Sequence, residues 1–344
     1  MSRFTHAWRW LALVVDAAMI PASIALAARV PGTRTWVGWL VTAWLFALLA
    51  VTWRAGASLI VSMRRALGDR TAAQSMIDRA DPGGAAARTL IGVFAYRQLL
   101  KNLVLKDLKL KYRGSVFGFL WSLVNPLLMI LVYAAAFTFI LRVRAEGFVF
   151  FLLLGVLAWT FFANSASMST GASVDSAGLV KSAVFPRAIM PVATVFFNLA
   201  QYMLTVIVFL PLMLVIYRVV PATPMVLFPV FLALQVVFTI GIALMLATGT
   251  TFFRDIRHFL EIALSVMFWT TPIVYQVKTL PEFARAGVML SPLSPFVVAY
   301  QGMFVERQWP DQSTWILATL YAVAALAGGL WLFVACEDRF AEHL

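Results

Sequence analysis

The side chains able to do chemistry are few and widely spaced in this chain of 344 residues. Three histidines (His6, His258 and His343) and a single cysteine, Cys336, form no HExxH, no CxxC and no mixed Cys/His cluster. Neither a metal site nor a redox pair is therefore expected, and no disulfide can close within the chain. There is no GxxxxGK[ST] run, so the chain has no P-loop of its own. Two acids fall in apolar stretches, Asp16 and Glu261. Each stands alone near the end of its stretch, where an interfacial or capped carboxylate fits, and no carboxylates pair for acid–base work. What remains is cationic. Lys106, Lys109, Lys111, Tyr112 and Arg113 crowd into a short segment just before a long uncharged run. Such a group can anchor to lipid headgroups and hold the segment on the cytoplasmic side. No covalent chemistry, metal or cofactor is expected of this chain.

The elements that must position these cations are membrane helices. The chain is 62% hydrophobic and only 12% charged, where a soluble domain carries about twice that charge. Mean hydropathy is +0.89, and several apolar runs approach or exceed the roughly 20 residues that cross a bilayer as a helix. The expected class is an all-α polytopic membrane protein. A net charge of +12 would suggest nucleic acid in a soluble protein. Here it belongs to loops, because no basic soluble domain is present.

Read in order, the chain opens with two spans within residues 1–63, read as retained rather than cleaved. Arg54 sits toward the end of the second, placed to snorkel to the interface. Residues 64–93 form a small, polar linker, RRALGDRTAAQSMIDRADPGGAAART and the residues that follow, broken at Asp81-Pro82-Gly83-Gly84. The main module is 94–344. Its first element, about 94–114, is amphipathic, with Tyr96, Leu99, Leu100, Leu103 and Val104 on one helical face. Leu108 to Arg113 alternates apolar and basic, which taken alone suits a strand. A lone strand at a membrane has no partner, so an interfacial helix is expected. Six spans follow, at about 116–141, 148–163, 188–217, 225–253, 259–277 and 315–336. The Ser/Asn-rich segment Asn164 to Arg187 follows the span at 148–163 and reads as a helical cytoplasmic loop, a rigid projection suited to take up a partner's motion. Residues 278–314 read as an external stretch too apolar to lie free in water, expected to fold back as short helices. Eight spans leave both termini in the cytoplasm, with 18 Lys/Arg inside against 8 outside, consistent with the positive-inside bias.

Five stretches, in this order, resemble the ABC-2-type permeases that export O-antigen, capsule and teichoic-acid polysaccharides. They are DLKLKYRGSVFGFLWSLVNPLLMILVY (Asp107 to Tyr133), GVLAWTFFANS (Gly155 to Ser165), LVKSAVFPRAIMPV (Leu179 to Val192), FFRDIRHFLEI (Phe252 to Ile262) and TPIVY (Thr271 to Tyr275). The resemblance covers about residues 90 to 338; the first 90 residues do not match. The chain departs from the family pattern at Ala158, where Pro often precedes the Trp, and at Gln301, where Arg usually follows the Tyr. Ser291-Pro292 and Ser294-Pro295 stand where Asn-Pro is common.

The resemblance implies a six-helix ABC-2 permease module preceded by two extra transmembrane helices. It implies a homodimer in the cytoplasmic (inner) membrane, each copy docked on a separate ABC ATPase that binds the ATP. The substrate would be a polyprenyl-diphosphate-linked glycan. Lys106, Lys109, Lys111, Tyr112 and Arg113 would then frame its entrance. Trp121, Tyr133, Phe137, Trp159, Phe161 and Phe162 offer aromatic faces on which sugar rings could slide, or else they are core and lipid-facing packing. Lys181, Phe185, Pro186, Arg187, Arg254 and Asp255 are candidates for coupling to the ATPase; Arg254 and Asp255 could instead pair with each other. Export of a drug or simple lipid is the nearest alternative, and a membrane-embedded glycosyltransferase or lipid-modifying enzyme is the rival of another class.

Overall fold

The computed structural model describes residues 89, 93, 95–114, 120–136, 147–172 and 186–336. All of these lie in the second of two compact units, Ala73–Leu344. The expected spans 1 and 2, and most of the linker, lie outside the described residues. Among the described residues there are nine α-helices and no strand. We number them α1 Arg97–Tyr112, α2 Leu120–Ala135, α3 Phe148–Ala172, α4 Ile189–Ile216, α5 Phe228–Phe252, α6 Ile256–Thr270, α7 Glu282–Met289, α8 Ser294–Gln301 and α9 Gln312–Cys336.

The basic segment is helical throughout, so its alternating end does not become a strand. Leu103 is buried with Ile189, Met190 and Ala193 at the start of α4, and Leu99 and Leu100 pack beside them. Burying one such leucine is worth about 2 kcal/mol at an aqueous interface. This explains why a helix so rich in lysine lies against the bundle. Tyr96, expected on the same face, is exposed and precedes the helix. Lys109 and Lys111 fill the last turn, where cations suit the helix dipole. Arg113 then turns extended and Gly114 takes φ +77°, a conformation that ends the helix and that glycine adopts at low cost.

Among the described residues four elements are long and apolar enough to cross a membrane: α3, α4, α9, and α5 with the 3₁₀ turn Thr223–Leu227 before it. The third expected span is represented by α2, which continues through Pro126. Two expectations need correction. The Ser/Asn-rich segment does not begin a loop at Asn164, because α3 runs on to Ala172 with Ser165, Ser169 and Thr170 buried. The Ser165 hydroxyl donates to the Phe161 carbonyl (2.7 Å) and that of Ser169 to the Ser165 carbonyl (2.6 Å). Small hydroxyl residues satisfied within their own helix can thus be buried without outside partners. Likewise, the span expected at 259–277 ends as a helix at Thr270. Its 15 residues rise roughly 22 Å, short of the hydrocarbon thickness. The cause is Pro272: the residue before a proline is pushed out of the helical region, and Thr271 is extended at φ −86°, ψ 135°.

From Thr271 the chain turns into the bundle. Ile273 and Val274 are buried, as are most residues of α8. The stretch expected to fold back does so as α7 and α8. Side-chain hydrogen bonds hold it. Tyr300 donates to Gln235 Oε1 of α5 (2.8 Å), whose Nε2 donates to the Ala158 carbonyl of α3 (3.0 Å). Gln301 Nε2 donates to the Pro272 carbonyl (3.1 Å). Thr271 and Ser291 share a hydroxyl hydrogen bond of 2.8 Å. Gly155 gives this fold-back its room: a Cβ there would lie 3.2 Å from Ile273 Cα and 3.1 Å from Gln301 Nε2. At the surface, Lys278 bonds Glu306 at 2.6 Å, closing the ends of the same excursion.

The tightest helix crossing is α5 on α9. A Cβ on Gly241 would stand 2.2 Å from the Ala325 backbone, and one on Gly329 would stand 2.3 Å from the Gly241 carbonyl oxygen. Both obstacles are backbone, so neither can swing away. In an apolar solvent such close contact of small residues is a main source of helix association. Gly241→Ala and Gly329→Ala should therefore each cost about 1–3 kcal/mol and lower the thermal unfolding midpoint in detergent. Gly287→Ala, whose Cβ meets nothing within 4 Å, should leave it unchanged.

Candidate functional site

Two spans carry polar stripes at helical spacing that converge on one cleft. On α3 the stripe is Leu157, Thr160, Phe161 and Asn164; on α4 it is Asn198, Gln201, Tyr202 and Thr205. Both follow i, i+3, i+4, i+7, the spacing of a single helical face. Trp121, Asn125 and Pro126 of α2 form a further wall, and Lys111 of α1 stands at the cleft, whose volume is about 70 Å³.

Most of the polar groups are partly committed. The Thr160 hydroxyl donates to the Val156 carbonyl (2.7 Å), and that of Thr205 to the Gln201 carbonyl (2.9 Å). Asn198 Nδ2 donates to the Thr194 carbonyl (2.9 Å). Their remaining lone pairs can only accept. The Lys111 ammonium donates to Gln201 Oε1 and lies 5.7 Å from the centre of the Phe197 ring. Burial against α4 pulls the Lys111 pKa below the ordinary lysine value. Because an ammonium only donates, it fixes which end of the Gln201 amide is the oxygen. The other end, Nε2, is buried and hydrogen-bonds to none of the described residues. An unmet buried donor costs about 1–3 kcal/mol, so the cleft presents an unfulfilled demand for an acceptor.

Of the residues proposed from sequence, Lys111, Trp121 and Phe161 meet in this cleft. Phe161 packs on Tyr202 with ring centroids 5.5 Å apart. Lys106, Lys109 and Arg113 are exposed along α1 or at its end. The Lys106 ammonium is 3.9 Å from the neighbouring Asp107 carboxylate, a surface pair worth little. Tyr112 is the last residue of α1. The other aromatics form a ladder. Tyr133 stacks on Phe268 (5.7 Å), which meets Trp159 (5.5 Å). Trp159 meets Phe162 (6.1 Å), Phe162 stacks on Phe238 (5.5 Å), and Phe238 reaches Phe296 of α8 (5.7 Å). These rings join α2, α6, α3, α5 and α8. Phe137, Lys181 and Phe185 lie outside the described residues. Pro186 and Arg187 make the first turn into α4, and the Pro186 carbonyl accepts from the Ile189 amide at 3.0 Å. Arg254 and Asp255 are exposed in the turn between α5 and α6 and form no ion pair among the described residues.

The polar members of the cleft other than Lys111 were not anticipated. The signal was available as two Asn residues, a Gln and two Thr at a 3–4 residue period inside apolar spans.

The ABC-2 type transporter family matches residues 98–305. The chain belongs to that family. The match runs from the start of α1 to the π turn Gly302–Glu306 that follows α8, so the cleft and the fold-back both lie within the family's shared part. Among curated relatives, the O-antigen export system permease protein RfbA of Myxococcus xanthus is 34% identical over 257 residues, covering 73% of this chain and 97% of the relative. Two proteins of the same name from Klebsiella pneumoniae are 32% and 31% identical over 247 residues, covering 72% of this chain and 95% of each relative.

The geometry of the ABC-2 module generates a cross-linking prediction. With cysteines at Lys111 and Gln201, a short bifunctional thiol reagent should tie α1 to α4. With Lys109 and Gln201 replaced it should not, because two residues turn a helix by about 200°. Cys336 is buried and should not compete. Gel mobility after cleavage of the chain between the two helices reads the result.

Proposed function

We propose that this chain is the membrane subunit of an ABC exporter that moves a polyprenyl-diphosphate-linked polysaccharide of the O-antigen class out of the cytoplasm. ATP is hydrolysed on a separate ABC subunit, and two copies of the chain enclose the path. The observation that carries this reading is the similarity of 31–34% to O-antigen export permeases over nearly their whole length. The absence of a P-loop in the sequence fits a division of labour in which another subunit supplies the energy.

In this reading α1 lies at the cytoplasmic interface, the side that a basic segment before a span favours. Its exposed Lys106, Lys109 and Arg113 draw the diphosphate along the membrane surface, and Lys111 receives it at the cleft. A phosphate oxygen is a stronger acceptor for an ammonium than an amide oxygen is, and Lys111 is already partly stripped of water. The exposed turn Arg254-Asp255 and the Pro186-Arg187 entry to α4 sit at the ends of long helices, where an ATPase could push on a rigid rod. Lys181 and Phe185 complete the coupling set. The two spans within residues 1–63 brace this module or meet another protein, and both termini face the cytoplasm.

Three measurements test this. The chain should co-purify with an ABC ATPase, and Arg187→Glu combined with Arg254→Glu should lower substrate-stimulated ATP turnover about tenfold or more. Unchanged turnover would remove these residues from the coupling. Cysteines at Lys106 and Lys109 should react with a membrane-impermeant maleimide in inside-out vesicles and not in intact cells; the reverse pattern would overturn the orientation.

A further inference from the structure

We propose that the cleft between α1, α2, α3 and α4 is a subsite for the first sugar of the lipid-linked chain, and that Gln201 is its specificity-determining residue. This rests on the export reading above and adds to it a place where the cargo's sugar, rather than its phosphates, is sensed.

The lining favours this ligand over others. A site built for a free phosphate or nucleotide would gather several cations, yet among the described residues that line the cleft Lys111 alone is charged. A site for an acyl chain would be lined by aliphatic side chains, whereas Asn125, Asn164, Asn198 and Gln201 bring four amides to this one. Amides present donors and acceptors at the spacing of neighbouring sugar hydroxyls. Trp121 supplies an aromatic ring at the edge of the same cleft, and a ring matches the apolar face of a sugar. A neutral polyol with a single anion beside it answers all of these features together.

The Lys111–Gln201 contact makes the site sequential. With no phosphate present, the ammonium occupies Gln201 Oε1, while Nε2 lies buried and meets no acceptor among the described residues. A diphosphate arriving along α1 draws the ammonium to itself and releases Oε1. Gln201 then offers an acceptor and a donor at once, and a sugar hydroxyl pair satisfies both. A prenyl diphosphate lacking the sugar takes Lys111 but leaves the amide unanswered. The cleft thereby distinguishes a loaded carrier from a bare one.

Full-length chain in phosphatidylcholine nanodiscs would be titrated with two probes, a short-chain prenyl diphosphate bearing one N-acetylhexosamine and the same prenyl diphosphate without sugar. The native chain should bind the sugar-bearing probe about tenfold more tightly. Gln201→Leu should abolish that preference while holding the bare probe within about twofold, and Lys111→Met should weaken both. Asn164→Leu, on the facing helix, should also reduce the preference, and it carries the test if Gln201→Leu does not fold. Retention of the preference in these variants, or equal weakening toward both probes by Gln201→Leu, would overturn the subsite while leaving the export reading intact. If neither probe bound the native chain, the export reading would fall, and the subsite with it.

Discussion

Gln235 is the point on which the bundle closes. It is fully buried in α5, and a bare amide there would be costly in an apolar surrounding. Its two ends are answered by different helices, the Ala158 carbonyl of α3 and the Tyr300 hydroxyl of α8. Because each of the three groups needs the others, the fold-back cannot drift outward without orphaning an amide and a phenol at once. The departure from the family pattern at Gln301 has a local explanation: neutral rather than cationic, its side chain donates to the Pro272 carbonyl without bringing a charge into the core.

Around that link the packing is uneven, and the unevenness divides the module mechanically. α5 and α9 touch backbone to backbone at Gly241 and Gly329, leaving no slack for sliding. α3 lies at the centre, packed against α2, α4, α5, α6 and α8. α6 has only Leu260 and Leu264 buried, and α2 leaves Leu128, Leu131 and Val132 exposed. Those faces suit lipid tails or a second copy of the chain. A load applied at the exposed turn between α5 and α6 therefore meets a rigid pair on one side and a lightly held helix on the other. The aromatic ladder from Tyr133 to Phe296 links that lighter part to the fold-back, and rings in offset contact can tilt past one another more easily than interlocked aliphatic side chains.

How much of this was legible follows from the kind of interaction. The long apolar runs at 188–217, 225–253 and 315–336 mark α4, α5 and α9 to within a few residues, since a bilayer imposes length and composition directly. The amphipathic face through Leu99, Leu100 and Leu103 was equally plain. Two boundaries were misjudged because local chemistry outweighed average polarity. Ser165 and Ser169 look like loop residues until their hydroxyls bond back to their own helix, and Thr271 ends α6 only because Pro272 follows. The cleft was harder. Each of its polar residues, taken singly, is unremarkable in a span, and only superposition of the α3 and α4 faces brings Thr160, Asn164, Asn198 and Gln201 together. The aromatics posed the opposite problem: composition identified them, but only the partners show that Trp159 and Phe162 lie within a ladder while Trp121 and Phe161 border the cleft.

Gln235 and Gln201 place the same chemistry in contrasting circumstances. Gln235 has both ends of its amide met by fixed groups, so it contributes structure and asks for nothing more. Gln201 has one end held by the Lys111 ammonium and the other unmet among the described residues. A lysine chain can leave its partner for a better one, whereas a backbone carbonyl cannot. Satisfaction at Gln235 is therefore permanent and at Gln201 conditional on what else Lys111 can find. In a bundle where polar groups are scarce and nearly all others are answered among the described residues, the exception is where a polar cargo gains most by entering. The cleft lies beside the basic helix α1, so in the proposed reading a phosphate would compete for Lys111 before the amide behind it became available.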